Sequence, residues 1–541
     1  MRAKCWAMVG LLPLLLTPDP SPIAHPPNRE RGEENSGGGA PLPGEGSAMG
    51  EGMGVRGEEG PFPRLILRGV TLIDGTGAPP IGPVDIVIQN DRISQIAGVG
   101  SPGSPIDPEG RPKADGGKEI DLTGMWVLPG FVDLYAHPIE PVEYVSKLWL
   151  GHGITTIRDP NCGPSAPACL ELKRNSEQTT SPRIEPFQGF GAGAKSPVRT
   201  PEEARAWIAE AKRSGISGVR FRGQKPELLA AAMSEAKKVG LATSCHHYPG
   251  ADALDTSGWG LTFLEHWHGL PEALFTERTV PDFPPDYNDL DEGQRFARSG
   301  RLWRQAAAPG SERWNQVIEQ LVARGLVLVP TLSLYEANRD LMRAIRAEWH
   351  DLYTLPSMWD RFKPDRLGHA THWFNWTTAD ELAWRENYRL WMAFLNDYKN
   401  RGGRVAVGTD SGFMYNLHGF SFVREMELLQ EAGFHPLEVV RAATLLGAEA
   451  LGRGADLGSV EPGKLADLVI VAENPLENFK VLYGTGALKV GLDNRPSRIG
   501  GVRYTIRSGV VYDAEKLRED VRRIVEEAKA REKRGIVSPG M

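Results

Sequence analysis

The sequence predicts an α/β fold, a (β/α)8 TIM-like barrel with a small β-sandwich domain formed by N- and C-terminal segments. Three observations carry that expectation. Apolar strand-like runs alternate with helical stretches through residues 129–454, the pattern of a parallel sheet with crossover helices. Short β-patterned runs separated by Gly, Pro and Asn precede this region and others follow it. The length of 541 residues accommodates one large domain and a second, smaller one.

Along the chain, Arg2 and Lys4 precede an apolar run from Cys5 to Leu16. It is too short to cross a bilayer and suits a signal-peptide core, so residues 1–24 are expected to act as a signal peptide or N-terminal anchor. That implies an exported protein, periplasmic, extracellular or held near a membrane; a start upstream of the true one stays open. Residues 25–63, which contain Ser36-Gly37-Gly38-Gly39-Ala40, read as a Gly/Pro-rich linker with too little apolar surface to offset chain entropy. Residues 64–128 carry strands at Leu65–Gly75 and Val84–Ile93, and residues 455–513 carry strands at Ala466–Val471 and Tyr504–Val511; these two segments form the composite sandwich.

Within the barrel, strands are expected at Gly153–Asp159, Val219–Arg222, Leu241–His246, Leu261–His266, Leu326–Leu332 and Val405–Asp410, with helices over 201–213 and 226–239. Insertions at about 271–316 and 335–400 hold eight of the 14 Trp, from Trp303 to Trp391, as a pocket wall or as the core of an added helical layer. Residues 514–541 read as a charged helix, to about Arg534, and a tail.

Charge narrows the partners. With 62 Lys+Arg against 69 Asp+Glu, the net charge of −7 leaves no basic surplus for nucleic acid. A small-molecule substrate is expected, and a homo-oligomer stays open. Cys162 and Cys169 can pair or stand as free thiols, and Cys245 is left over.

Chemistry belongs at the C-terminal strand ends of such a barrel, where His137, His246, His266 and Asp410 fall. Imidazoles and a carboxylate are the donor types that hold a divalent transition metal with an open position and make hydroxide available near neutral pH. The run Leu128-Pro129-Gly130-Phe131-Val132-Asp133-Leu134-Tyr135-Ala136-His137 resembles the first-strand motif of the amidohydrolase superfamily, in which Pro-Gly-x-x-Asp precedes His-x-His. Gly153-Ile154-Thr155-Thr156-Ile157-Arg158-Asp159, Glu265-His266, Gly408-Thr409-Asp410-Ser411 and the run Leu457–Leu468 extend the resemblance over residues 64–513, toward the imidazolonepropionase-like and prolidase-like branch. The resemblance implies a hydrolase of carbon–nitrogen bonds in a cyclic amide, acylated amino acid or dipeptide-like compound. It also implies one divalent transition metal, zinc by expectation, on His137, His246, His266 and Asp410, with Asp410 and His266 as acid–base groups.

Two positions depart from the pattern. Tyr135 stands where the first His of His-x-His is expected, and Arg220 stands where the fourth strand should carry a lysine able to form a bridging carbamate. A guanidinium offers no neutral amine for that chemistry, so a two-metal centre of the usual kind is not expected. Three readings remain: a mononuclear centre; an arrangement that recruits Tyr135, His247 or His268; and a degenerate barrel that binds a small ligand without catalysis. Arg220 is a candidate to replace a cation, to hold a substrate carboxylate, or to form a structural ion pair; Tyr135 and His418 are the other candidate substrate contacts. His369 and His372, in the Trp-rich insertion, are expected to be surface or packing residues.

Overall fold

The computed structural model describes residues 58–101, 106, 108–139, 141–247, 250–276, 296–297, 299–363 and 376–533, all within a unit spanning Gly54–Met541. The expected signal segment, nearly all of the linker, His369, His372 and the end of the C-terminal tail lie outside the described residues.

Eight strands make one parallel sheet in sequential order: β1 Phe131–Asp133, β2 Ile154–Asp159, β3 Arg183–Gly189, β4 Gly218–Arg222, β5 Ala242–His246, β6 Phe263–Glu265, β7 Val327–Val329 and β8 Arg404–Val405. The chain just beyond each of the two edge strands meets the other. Leu134 N donates to Val407 O at 2.9 Å, Asp410 N donates to Tyr135 O at 2.7 Å, and Ala136 bridges Ser411 in parallel sense. Alternation sorts each strand's side chains. Val219 and Phe221 of β4 join the apolar layer under the helices. Tyr135, Phe187, Phe263, Val327 and Val329 form a separate interior cluster. Gly218 has no side chain because a Cβ there would lie 2.4 Å from the Phe187 ring.

Strand β3 is absent from the pattern read off the sequence. Pro186 and the polar residues Arg183, Glu185 and Gln188 hide it, because their partners are remote: Arg183 pairs with Asp467 at 2.8 Å, and Glu185 with Arg453 at 2.6 Å and Lys173 at 2.8 Å. Helices follow their signals more closely. Pro201–Ser214 starts from Thr200, whose side chain and that of Glu203 form a reciprocal capping box, and stops at Gly215 with φ 86°. Pro226–Val239 stops at Gly240 in the same way.

Segments from both ends of the chain share a second, nine-stranded sheet, in which Trp126–Pro129 pairs antiparallel with Leu468–Val471. The C-terminal helix, Ala514–Lys533, is anchored by Arg518, which donates to Gly151 O at 2.7 Å and Val502 O at 2.8 Å. Between β7 and β8 the described helices are Leu332–Arg339, Leu341–Ile345, His350–Tyr353, Pro356–Phe362 and Thr378–Asn400. Trp384 and Trp391 are buried there, and Trp303 and Trp314 are buried in the preceding connection between β6 and β7, as the core of an added helical layer requires. Cys162 and Cys169 form a disulfide, and Cys245 is a buried thiol. Among the described residues no helix is long and apolar enough to cross a membrane.

Candidate active site

The site is assembled where the segments that follow the first and last parallel strands meet. The buried Asp133 carboxylate makes that junction. Its Oδ1 accepts from Tyr135 N at 3.1 Å and Thr409 N at 3.0 Å, and its Oδ2 accepts from the Thr409 hydroxyl at 2.7 Å. Burial pushes this carboxyl up to about 7 against those bonds. Tyr135, His137 and Asp410 follow directly from the junction, on backbone that has left the regular ladder. Asp410 and His266 both take positive φ, 49° and 62°, which is uncommon for residues other than Gly and concentrates at functional sites.

Around Asp410 the donors converge. His137 Nε2 lies 3.5 Å from Asp410 Oδ1 and His266 Nε2 lies 3.8 Å from Asp410 Oδ2. His246 closes the group, its ring 4.9 Å from that of His266. His137 and Asp410 keep side-chain exposures of 20% and 12%, so the cluster opens to solvent. Burial first, then the neighbouring His266 and His268 rings and the Arg220 and Arg222 guanidiniums, hold His246 well below the usual imidazole range, which keeps it neutral.

The tautomer of His266 follows from its neighbour. The Thr331 hydroxyl donates its one proton to Pro330 O at 2.6 Å, so at 2.7 Å it accepts from His266 Nδ1–H. In the neutral ring Nε2 is then the nitrogen without a proton, and it is the one that faces Asp410. Asp159 stands on the other side of His137, with Oδ1 3.6 Å from Nδ1. Thr331 and Asp159 are supports that the sequence reading missed. Neither carries a local signal, since each acts on a ring donated by another strand.

Beneath the cluster lies an ionic core. Glu265 Oε1 is 3.0 Å from Arg158 Nη1 and Glu265 Oε2 is 3.0 Å from Arg220 Nε; Glu265 is fully buried and Arg220 is 7% exposed. Burial alone would raise Glu265, but Arg220 and Arg158 overcome it and bring the carboxyl down to about 2. Arg220 Nη2 also donates to the Tyr135 hydroxyl, and the guanidiniums of Arg158 and Arg220 each lie 5.2 Å from the centre of the Tyr135 ring. Burial holds the phenol well above its ordinary value, so Tyr135 stays neutral. His246, Glu265 and His266 place ligand atoms within 4.8 Å of one another, yet Glu265 is already compensated by two cations. Two members of that group, His246 and His266, are imidazoles, the donor type that holds a divalent transition ion.

The structure brings together six of the residues singled out above, and places His418 elsewhere. His418 is fully buried, packs edge-on against Trp149 at 5.1 Å and sets Nε2 3.3 Å from His137 O, so it supports the backbone of His137 and does not reach a substrate. Arg220 and Tyr135 are likewise engaged with each other and with Glu265, below the mouth rather than in it. The exposed cation at the end of β4 is Arg222, paired in register with His246. His247 turns away, with Nε2 2.8 Å from the Thr256 hydroxyl. His268 stays near, its ring 4.9 Å from that of His246 and its Nε2 3.3 Å from Tyr335 OH.

Comparison with known proteins bears on the fold. The family model described as "Amidohydrolase family" matches residues 390–492, which include β8, Asp410 and the strand Leu468–Val471. Among curated proteins, a dihydroorotase from Thermus aquaticus is 24% identical over 193 residues, which is 34% of this chain and 41% of that protein. An imidazolonepropionase from Geobacillus kaustophilus is 36% identical over 80 residues, 15% of this chain and 17% of that protein. The chain thus matches less than half the length of either relative. Among solved structures, a Xaa-Pro dipeptidase with bound methionine in its active site has a TM-score of 0.54 at 20% identity, covering 83% of this chain and 100% of that one. A bottromycin amidohydrolase has a TM-score of 0.59 at 19% identity, covering 87% and 91%. At those identities the likeness is one of fold. Taken with the strand-end His and Asp residues, these partial matches support a likeness to the amidohydrolase superfamily.

Proposed function

We propose that this chain is a metal-dependent hydrolase that cleaves a carbon–nitrogen bond in a small amide, cyclic, N-acylated or dipeptide-like, from a (β/α)8 barrel capped by a β-sandwich. One divalent ion, zinc by preference, would be held by His137, His246, His266 and Asp410. The carrying observation is the spacing at Asp410. Separations of 3.5 and 3.8 Å are too long for good hydrogen bonds, but donors sharing a tetrahedral ion through bonds of about 2.1 Å stand about 3.4 Å apart.

Such an ion supplies Lewis acidity toward a carbonyl and makes water a stronger acid near neutral pH. The chain does the rest. Thr331 fixes the His266 tautomer, Asp159 flanks the His137 ring, and Asp133 holds the two strands that carry His137 and Asp410. An Asp410 carboxylate oxygen accepts a proton from the attacking water and returns it to the leaving nitrogen, and His266, on the other Asp410 oxygen, is the second acid–base candidate.

An exported location, periplasmic, extracellular or anchored at a membrane, fits the Cys5–Leu16 apolar run and is favoured by the Cys162–Cys169 disulfide, which persists in oxidising compartments. A panel of N-acyl amino acids, dipeptides and cyclic amides tests the activity. Turnover should vanish on chelation, return with a divalent ion, and be abolished in Asp410→Asn with an unchanged circular dichroism spectrum. Binding from the panel with no turnover by the metal-loaded protein would instead favour a degenerate, ligand-binding barrel.

A further inference from the structure

We propose that Arg220, clamped between Glu265 and Tyr135, is a resident cation that excludes a second metal ion, so that the centre takes one divalent ion per chain. The proposal rests on the hydrolase reading above and deepens it. Three side chains below Asp410 could serve as inward donors for a further ion: Tyr135, Glu265 and whatever stands at position 220 on β4. Each is already committed. Both Glu265 oxygens are bonded to guanidinium nitrogens at 3.0 Å, and the Tyr135 oxygen accepts from Arg220 Nη2. Position 220 itself supplies five N–H donors and no lone pair.

Charge gives the same answer independently. Arg220 is held in this layer by Glu265 and by Asp410, so the positive charge of its guanidinium stands where a further ion would have to go. A second divalent ion placed there would face that charge at short range with little solvent to screen it. The interior is also full. Tyr135 packs in the apolar cluster with Phe187, Phe263 and Val329, and is 2% exposed. Of the proposed ion-binding donors, His137 and Asp410 keep side-chain exposures of 20% and 12%, unlike Tyr135 and Glu265.

Counting metal in the intact protein tests the proposal. Purified chain titrated with Zn2+ or Mn2+ and then desalted should retain one equivalent by elemental analysis; two equivalents would overturn the proposal. Retention of none would sink the hydrolase reading on which it rests, so the two failures are distinct. Tyr135→His, which keeps Arg220, should stay at one equivalent, and a rise to two would show that the guanidinium is not the barrier. Tyr135→His/Arg220→Lys in bicarbonate buffer, where the lysine amine can add carbon dioxide and release a proton, should rise toward two. A folded double variant that stays at one would overturn the assignment.

Discussion

Replacing Glu265 by Gln should cost the protein about 3–5 kcal/mol at pH 7, because it strands Arg158 and Arg220 in the interior without their shared anion. The structure sets the scale. A carboxyl carried from 4.5 down to about 2 by two guanidiniums represents about 3.4 kcal/mol, at about 1.36 kcal/mol per pH unit. The pH dependence carries the diagnostic sign. A depressed carboxyl contributes stability that is complete above about pH 4.5 and is lost as pH falls toward 2. The gap between wild type and Glu265→Gln should therefore be widest above pH 4.5 and narrow steadily in acid. Urea unfolding at pH 7, 5, 4 and 3 measures it. A gap below 1 kcal/mol at pH 7, or one that does not change between pH 5 and 3, would refute the reasoning, since both follow from an ionised Glu265 between two cations.

Thr331→Val removes the acceptor that fixes His266 Nδ1–H while keeping the β-branched shape, so divalent-ion affinity measured by chelator competition should fall about 10–100-fold. Glu425 accepts from Leu332 N at 2.8 Å and Ser333 N at 2.6 Å, and its burial pushes it up to about 8. A raised carboxyl contributes stability that is full below about pH 4.5 and is lost as pH rises toward 8, by up to about 1.4 kcal/mol per pH unit. Glu425→Gln should start less stable by about 1 kcal/mol at low pH, through one lost backbone bond, and show a flatter decline between pH 5 and 8 in denaturant melts.

What could be read ahead of the structure was whatever carries a local cause. Thr200, Pro201 and Gly215 announce a helix because capping and φ preference act within a few residues. His137, His246, His266 and Asp410 stand out because polar side chains end otherwise apolar strand runs. Arg220 was ambiguous for the opposite reason. Whether it meets a substrate or an internal anion depends on the register of β4 against β5 and of β5 against β6, which places Glu265 within reach. The covering of His418 by Trp149 depends on a helix far away in the chain, and strand β3 was hidden by Arg183 and Glu185, each of which has a partner beyond residue 450.

The Asp133–Thr409 bond joins positions 276 residues apart. A ribosome must therefore make most of the chain before the carboxyl that organises Tyr135 meets its partners, and the pairing of Trp126–Pro129 with Leu468–Val471 waits longer still. Closure of so long a loop is slow and comes late in folding. Until then no nascent chain, and no fragment ending before the eighth strand, holds His137 and Asp410 together. A chain passing unfolded through a membrane would carry His137 and Asp410 apart, and would bring them together only when its two ends are sewn into the same sheet.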